Sequence, residues 1–204
     1  MEKNNVTKLF NFTNKEEKNL DKFILELKKE NLKTNLVGKS TLTKPWDRHI
    51  CDSAQLTKLI MNKNSTILDI GTGAGLPGLI LAILGYNNIT MIDSKNKKIK
   101  FVNNIITMLD LKSKTIHSRL EDLSIPPFQY IVSRAVASLH RLLNYSLFFS
   151  NRNTTLVFLK GRNVNKEIAE AKKYYFFEYK VFKSISSGEG YMIKITDFRK
   201  KWLK

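Results

Sequence analysis

Residues 65–78 read Ser65-Thr-Ile-Leu-Asp69-Ile-Gly71-Thr-Gly73-Ala-Gly75-Leu-Pro-Gly78. The first six hold Ile67, Leu68 and Ile70 and make a short candidate for a buried strand. The next eight carry four glycines, and an unbroken apolar run from Leu79 to Leu84 follows them. Strand, glycine-rich turn and helix in that order are the context in which such a loop binds a ligand rather than merely reversing the chain. Glycine permits the sharp turn and the close approach of backbone to ligand. Pro77 suits the first turn of the following helix, where its missing N–H costs nothing.

Outward from this loop, strands and helices alternate. Further strand candidates lie at 88–93, 114–118, 130–135 and 155–161. Helices are expected at about 95–110, from Ser138 to Phe149 and from Asn165 to Lys173. That alternation predicts a doubly wound α/β fold with a mostly parallel sheet. Two late strand candidates, 174–185 and 191–196, flank a turn at Ser187-Gly188-Glu189-Gly190, so the last strand is expected to enter antiparallel. Upstream, Leu20, Phe23, Ile24 and Leu27 fall on one helix face, and Asp52, Ser53, Leu56, Leu59 and Ile60 suggest a short helix. Residues 1–64 thus read as a helical extension and 65–204 as the α/β domain.

The glycine loop admits two cofactors. Gly73-Ala-Gly75-Leu-Pro-Gly78 has the G-x-G-x-x-G spacing, and Asp93 follows Gly73 by 20 residues, as in the dinucleotide fingerprint. The longer frame Asp69-x-Gly71-x-Gly73-x-Gly75 resembles motif I of class I S-adenosylmethionine-dependent methyltransferases, and it favours S-adenosylmethionine over NAD. That resemblance implies Asp69 facing the methionine ammonium; Asp93 takes the ribose hydroxyls in either class. Arg119-Leu120-Glu121-Asp122 stands after the third strand, where such enzymes carry the acid that meets the adenine amino group. Acids also favour a helix N-terminus for purely electrostatic reasons.

The 204 residues include 35 Lys and Arg against 18 Asp and Glu, a formal charge of +17. That balance favours nucleic acid or another anionic partner. A second source is codon usage: 28 Lys against 7 Arg, with 19 Asn, 19 Ile and 7 Ala, is what AT-rich codons produce. The single cysteine, Cys51, excludes an intrachain disulfide and a Cys-based zinc site, and suits a reducing cytoplasm. His49, His117 and His140 lie far apart without metal-ligand spacing, so no metal is expected. The N-terminus has no apolar stretch of signal-peptide type. The least charged segment, 67–86, is interrupted by glycines and a proline and falls short of the ~20 continuous apolar residues that span a bilayer.

Other methyl-transfer chemistries would leave marks. A cytosine-C5 enzyme needs a cysteine nucleophile after the fourth strand, and Cys51 lies far upstream. Adenine amino-group enzymes carry Asn/Asp-Pro-Pro-Phe/Tyr there; Ile125-Pro126-Pro127-Phe128 begins with isoleucine and precedes that strand, so it reads as a proline loop. Ser133-Arg134-Ala135-Val136-Ala137 stands in that place instead. Asn35-Leu36-Val37, Arg48-His49-Ile50-Cys51-Asp52-Ser53, the loop Leu68 to Gly78, Ile92-Asp93-Ser94 with Lys97-Lys98, and Leu159-Lys160-Gly161 complete an ordered set. On these motifs the chain resembles, over about residues 20–195, the glucose-inhibited division protein B family, the bacterial small-subunit rRNA guanine-N7 methyltransferases.

The resemblance implies a class I methyltransferase fold with a seven-stranded, mostly parallel sheet and an antiparallel last strand. It implies that Gly71 and Leu76 line the S-adenosylmethionine pocket, that Gly73 and Gly75 shape it, and that Leu120 and Glu121 hold the adenine. Arg134 would sit at the cofactor and acceptor end and is the catalytic candidate. Its planar fork suits a guanine edge or a phosphate; the competing role is a strand-end arginine paired with a carboxylate. Val37 replaces the usual Thr and Cys51 an apolar position, without removing a group the reaction needs. Candidate RNA contacts are Arg48, His49, Lys97, Lys98 and Lys160, although His49 also suits a structural role, Asp52 a helix cap, and Lys160 an exposed solubilising charge. Basic clusters at 94–120 and 172–204 would add salt-sensitive affinity. The expected substrate is 16S rRNA or the small-subunit ribonucleoprotein, in its 530 loop, and the expected enzyme is a cytoplasmic monomer. An NAD-dependent oxidoreductase, or a non-catalytic RNA-binding module with a degenerate cofactor fold, remain the alternatives.

Overall fold

The computed structural model describes residues 1–134, 136–186 and 189–201. Ala135 at the end of the fourth expected strand, Ser187 and Gly188 of the expected late turn, and 202–204 of the tail lie outside the described residues. Seven strands form one sheet: β1 (Ile67–Ile70), β2 (Ile89–Asp93), β3 (Ser113–His117), β4 (Tyr130–Arg134), β5 (Thr155–Lys160), β6 (Tyr175–Lys183) and β7 (Tyr191–Lys200). Their order is β3-β2-β1-β4-β5-β7-β6. The first five run parallel, and β7 enters antiparallel between β5 and β6.

Helices cover both faces, which is why β1 is buried at every position and β5 at its four middle ones. Strand alternation sends Ile67 to one apolar cluster and Leu68 and Ile70 to the other. The first cluster is closed by α1 (Lys3–Phe10), α2 (Asn14–Asn31), the segment around α3 (Asp52–Ala54), α4 (Gly78–Ile83) and α5 (Asn96–Leu109). The second is closed by α6 (Leu139–Leu147) and α7 (Val164–Ala171).

A capping box starts α2: Thr13 Oγ1 accepts from the Glu16 N–H, and the Glu16 carboxylate accepts from the Thr13 N–H. Leu20, Phe23, Ile24 and Leu27 are buried, and the Phe23 ring meets Phe101 of α5 at 6.4 Å between centroids. Residues on both sides of the expected 64/65 boundary therefore share one apolar cluster. The helix expected from Asp52 to Ile60 is broken up. A π-helical turn Trp46–Cys51 leads into α3, and a 3₁₀ turn Gln55–Lys58 follows. Beyond the end of β6, the Ser186 hydroxyl donates to Asp52 and Ser184 Oγ accepts from Gln55 Nε2, and these bonds accompany the bending. The last strand runs to Lys200, past the expected 196, because a bulge in β7, where Asp197 (φ +45°) and Phe198 lie opposite Phe177 of β6, lets the pairing continue to Tyr175 opposite Lys200.

The strand order reverses between β1 and β4, which opens a crevice beyond the carboxyl ends of the parallel strands. Among the described residues, no helix is long and apolar enough to cross a membrane.

Candidate active site

A cavity of about 650 Å³ lies at that crevice. Its walls are the glycine loop from Gly71 to Leu76, the end of β2 at Asp93, the turn at Leu120 and Glu121, and Arg134 and Val136 after β4. Leu36, Thr41 and His49 close it from the N-terminal segment. Gly71, Gly73 and Gly75 have φ of +66°, +58° and +83°, a conformation that side-chain-bearing residues rarely adopt. Two of them differ in purpose. A Cβ on Gly75 would stand 2.2 Å from Leu79 Cδ1, so this glycine lets the loop close onto α4. A Cβ on Gly73 would meet nothing nearer than 3.9 Å, and this residue lines the cavity.

Asp93 is held at the cavity wall. Its Oδ2 accepts from the Gly73 N–H at 3.0 Å, its Oδ1 accepts from the Lys95 N–H at 2.9 Å, and Lys98 Nζ stands 3.4 Å from Oδ2. Leu120 and Glu121 lie on a 3₁₀ turn after β3 and complete the wall. A nucleoside joined to an amino acid needs a carboxylate for its ribose hydroxyls, an acid near its adenine amino group, and backbone open to its tail. Asp93, Glu121 and the open face of Gly73 supply these, and the volume falls within the ~300–1,000 Å³ of small-ligand sites. The residues present fit S-adenosylmethionine.

Asp69 departs from expectation. It is fully buried and does not line the cavity. Its Oδ2 accepts from Thr72 Oγ1 and from the Gly78 N–H, tying the two ends of the loop together. Alternation places Asp69 on the same strand face as Ile67, and that face is covered by α4. Its Oδ1 has no hydrogen-bond partner, and burial pushes its carboxyl up to about 7 despite the bonds from Thr72 and Gly78.

Arg134 ends β4 at the opposite side of the cavity. One terminal nitrogen donates to the Arg48 carbonyl at 2.9 Å and to Asp52 Oδ2 at 3.2 Å; the other donates to His49 Nδ1 at 2.9 Å. A guanidinium offers only donors, so His49 Nδ1 must be unprotonated. The His49 Nε2–H then donates to Thr41 Oγ1 at 3.0 Å, whose hydroxyl donates to the Gly38 carbonyl at 2.6 Å. Burial, reinforced by the charges of Arg134 and Arg48, lowers the His49 pKa to about 3 and keeps the ring neutral. His49 is fully buried with both nitrogens engaged, so it is not the RNA contact that its place in the sequence suggested.

Asp52 is no simple helix cap. Its Oδ1 accepts from Ser186 Oγ at 3.1 Å and from Gln55 Nε2 at 3.2 Å. Burial raises its pKa, and the neighbouring Arg134 opposes that shift. In the geometry Arg134 both pairs with a carboxylate and lines the cavity.

A second cavity of about 1,160 Å³ shares Thr41, Arg134 and Val136 with the first. Arg48, Arg162 and Lys166 line it. Lys160 lines it too, but not as a free cation or an exposed one. Its Nζ donates to the Ala137 carbonyl at 2.8 Å and pairs with Glu167 at 2.6 Å, with only 6% of the side chain exposed. Glu167 also accepts from the Leu139 N–H at 2.7 Å, so the pair anchors the start of α6 to α7. Its charge is neutralised there, which removes it as a phosphate contact. Lys98 lines the first cavity, whereas Lys97 is exposed and lines neither. Thr41, Gln55 and Ser186 were missed in the sequence; none sits in a motif, and Gln55 and Ser186 come together only across the folded chain.

The family model described as rRNA small subunit methyltransferase G (GidB) matches residues 16–194. The Ribosomal RNA small subunit methyltransferase G of Rhodospirillum rubrum is 34% identical over 181 residues, covering 89% of this chain and 90% of that protein. The protein of the same name from Gluconobacter oxydans is 35% identical over 181 residues, covering 89% and 93%. Among solved structures, the glycopeptide N-methyltransferase MtfA complexed with (S)-adenosyl-L-homocysteine aligns with a TM-score of 0.60 at 7% identity, covering 72% of this chain and 89% of that one. That is a likeness of fold, and the fold is that of class I S-adenosylmethionine-dependent methyltransferases. From the matched span and the shared identity, the chain belongs to the rRNA small subunit methyltransferase G family.

Proposed function

We propose that this protein transfers the methyl group of S-adenosylmethionine to N7 of a guanine in the 530 loop of 16S rRNA, acting in the cytoplasm as a monomer on the RNA or its ribonucleoprotein. The observation that carries this reading is Arg134 at the junction of two cavities, one suited to a nucleoside-amino acid and one wide enough for a nucleotide of an RNA. Family membership supplies the substrate class.

S-adenosylmethionine supplies a methyl group made electrophilic by its sulfonium. Guanine N7 offers a lone pair and carries no proton, so no side chain has to act as a base. The protein's task is to align the two partners and exclude water. Asp93 holds the ribose, Leu120 and Glu121 the adenine, and Gly71, Gly73 and Leu76 the remainder. Asp69 serves by fixing the loop. Arg134 uses three of its five N–H groups on Arg48, His49 and Asp52, which sets the fork rigidly for the guanine O6 edge or the adjoining phosphate. Bond formation at N7 moves positive charge onto the base as the carbon–sulfur bond breaks. The Asp52 carboxylate beside Arg134 keeps that side of the site from being purely cationic. Arg48, Arg162 and Lys166 face the RNA backbone.

The test is a map of N7-methylguanine in 16S rRNA from cells with and without this gene. Loss of one modified position is expected, and an unchanged map overturns the substrate. Calorimetric titration with S-adenosylmethionine and with NADH tests the cofactor: binding of NADH alone overturns the methyltransferase reading.

A further inference from the structure

The outer edge of the sheet carries features the methyl-transfer site does not use. Lys180 of β6 stands directly opposite Lys194 of β7. Like charges facing each other across an antiparallel pair are destabilising. Glu178 lies two residues away, yet neither lysine forms an ion pair among the described residues. On the same edge strand Phe176 is 52% exposed, on the face that carries Lys180 and Lys194, and Tyr179 is 38% exposed on the opposite face, so a strand of RNA following this edge meets a ring on either side of it. Each ring has cations beside it: Lys201 Nζ at 4.6 Å and Arg199 at 5.3 Å from the Phe176 centroid, and Lys172 Nζ at 4.7 Å from that of Tyr179. Residues 172–204 hold nine basic groups against three acidic ones.

We infer that β6 with the end of β7 is a second RNA-docking surface, away from the methyl-transfer site, which grips the substrate by base stacking and by charge. Exposed aromatic rings interleaved with cations are what single-stranded nucleic acid requires, because every base has a face to stack and every linkage a charge to neutralise. Lysines on an edge strand also discourage edge-to-edge pairing of proteins, but exposed Phe176 and Tyr179 work against that purpose. The strip is placed to guide RNA toward the site. Both β5 and β6 oppose β7, so β6 runs with the parallel strands and its carboxyl end lies on the side of the cavities. Ser186, just beyond that end, bonds Asp52. Phe176 then stands roughly 25 Å back along the strand, from the ~3.3 Å rise per residue, a span that only a long RNA bridges. The inference rests on the proposed rRNA substrate.

The test compares the full-length protein with two double variants, Phe176→Ala/Tyr179→Ala and Lys180→Gln/Lys194→Gln, each with wild-type melting behaviour. Methylation kinetics are measured on 16S rRNA and on a short fragment bearing the target loop, and direct RNA binding is measured against salt. The aromatic variant is expected to raise KM for 16S rRNA by about tenfold, with kcat and the KM for the short fragment within twofold. The lysine variant is expected to lower the slope of log affinity against log salt by about 1.4. Affinity for S-adenosylmethionine stays the same in both. Unchanged KM and slope overturn the inference. Self-association of the lysine variant with unchanged RNA affinity also overturns it, and leaves edge protection as the role of the pair. If the wild-type protein methylates neither RNA, the proposed function fails, and the binding arm still decides whether this edge holds RNA.

Discussion

The two cavities that meet at Arg134 are built in opposite ways. The cofactor side comes from consecutive loops of parallel strands, and its key bonds are local: Thr72 to Asp69 across three residues, Gly78 to Asp69 across nine, Gly73 to Asp93 across 20. The other side, proposed to take the acceptor, is drawn together from remote segments: Arg134 to Asp52 across 82 residues, Arg134 to His49 across 85, Ser186 to Asp52 across 134. The first is set by glycine geometry and one strand end. The second exists only when the N-terminal segment, β4 and the end of β6 are all in place. Cofactor binding should therefore outlast perturbations that abolish transfer.

The largest expected effect breaks the acceptor side. Arg134→Ala should lower single-turnover methylation of 16S rRNA by about a hundredfold or more, while affinity for S-adenosylmethionine changes by less than about threefold. The same substitution leaves the half-buried Asp52 without its cation and should cost about 1–3 kcal/mol of stability in urea unfolding, less than breaking a fully buried pair. Arg134→Lys, which keeps the charge and loses the fork, should recover stability better than activity. A parallel fall in cofactor affinity would remove the distinction between the two sides.

On the cofactor side, Gly75→Ala should cost about 2–4 kcal/mol, from the positive φ and the overlap with Leu79 together. Gly73→Ala bears the φ penalty without the clash and should act mainly on cofactor affinity. Thermal unfolding and calorimetric titration of the two variants separate these effects. Asp93→Ala is a smaller lesion: cofactor affinity should fall about tenfold, the loss of one charge-assisted hydrogen-bond site, and methylation at saturating cofactor should largely return.

The smallest effect is a pH slope, and it opposes the two sides directly. Asp69 is raised from 3.8 to about 7 in the fold, so its contribution is present at acid pH and lost as pH climbs toward 7. His49 is lowered from 6.5 to about 3, so its contribution is present above 6.5 and lost as pH falls. Between about pH 4 and 6.5 the slopes cancel. His49→Gln should unmask the Asp69 slope, gaining stability relative to the wild type on acidification by about 1.4 kcal/mol per pH unit at most. Asp69→Asn should do the reverse. Urea midpoints at three pH values between those limits check it, and parallel curves for all three proteins would show that neither group titrates as its burial dictates.

Much of the fold was legible because it is periodic. The apolar runs that became β1 and β5, the spacing that became the buried face of α2, and the glycines after β1 are local patterns with one stable solution each. The wall of the first cavity was legible for the same reason: Gly71, Gly73, Leu76, Asp93, Leu120, Glu121 and Arg134 were singled out from local motifs, and all line it. Asp69, His49 and Lys160 were named from their places in motifs, but a motif does not show which of its members the fold will pair with one another or bury. Asp69 is enclosed by α4, His49 is used up by Arg134 and Thr41, and Lys160 is neutralised by Glu167.

By itself, the sequence determined the order of strands and helices, the glycine loop and the chemical class of its ligand, because those depend on neighbours within a few turns of chain. Only the tertiary structure decided which charges remain free. A lysine or histidine keeps its charge for a substrate only if no buried carboxylate, carbonyl or guanidinium meets it first, and such meetings are made across long stretches of chain by the packing of the N-terminal segment, α7 and the late hairpin onto the sheet.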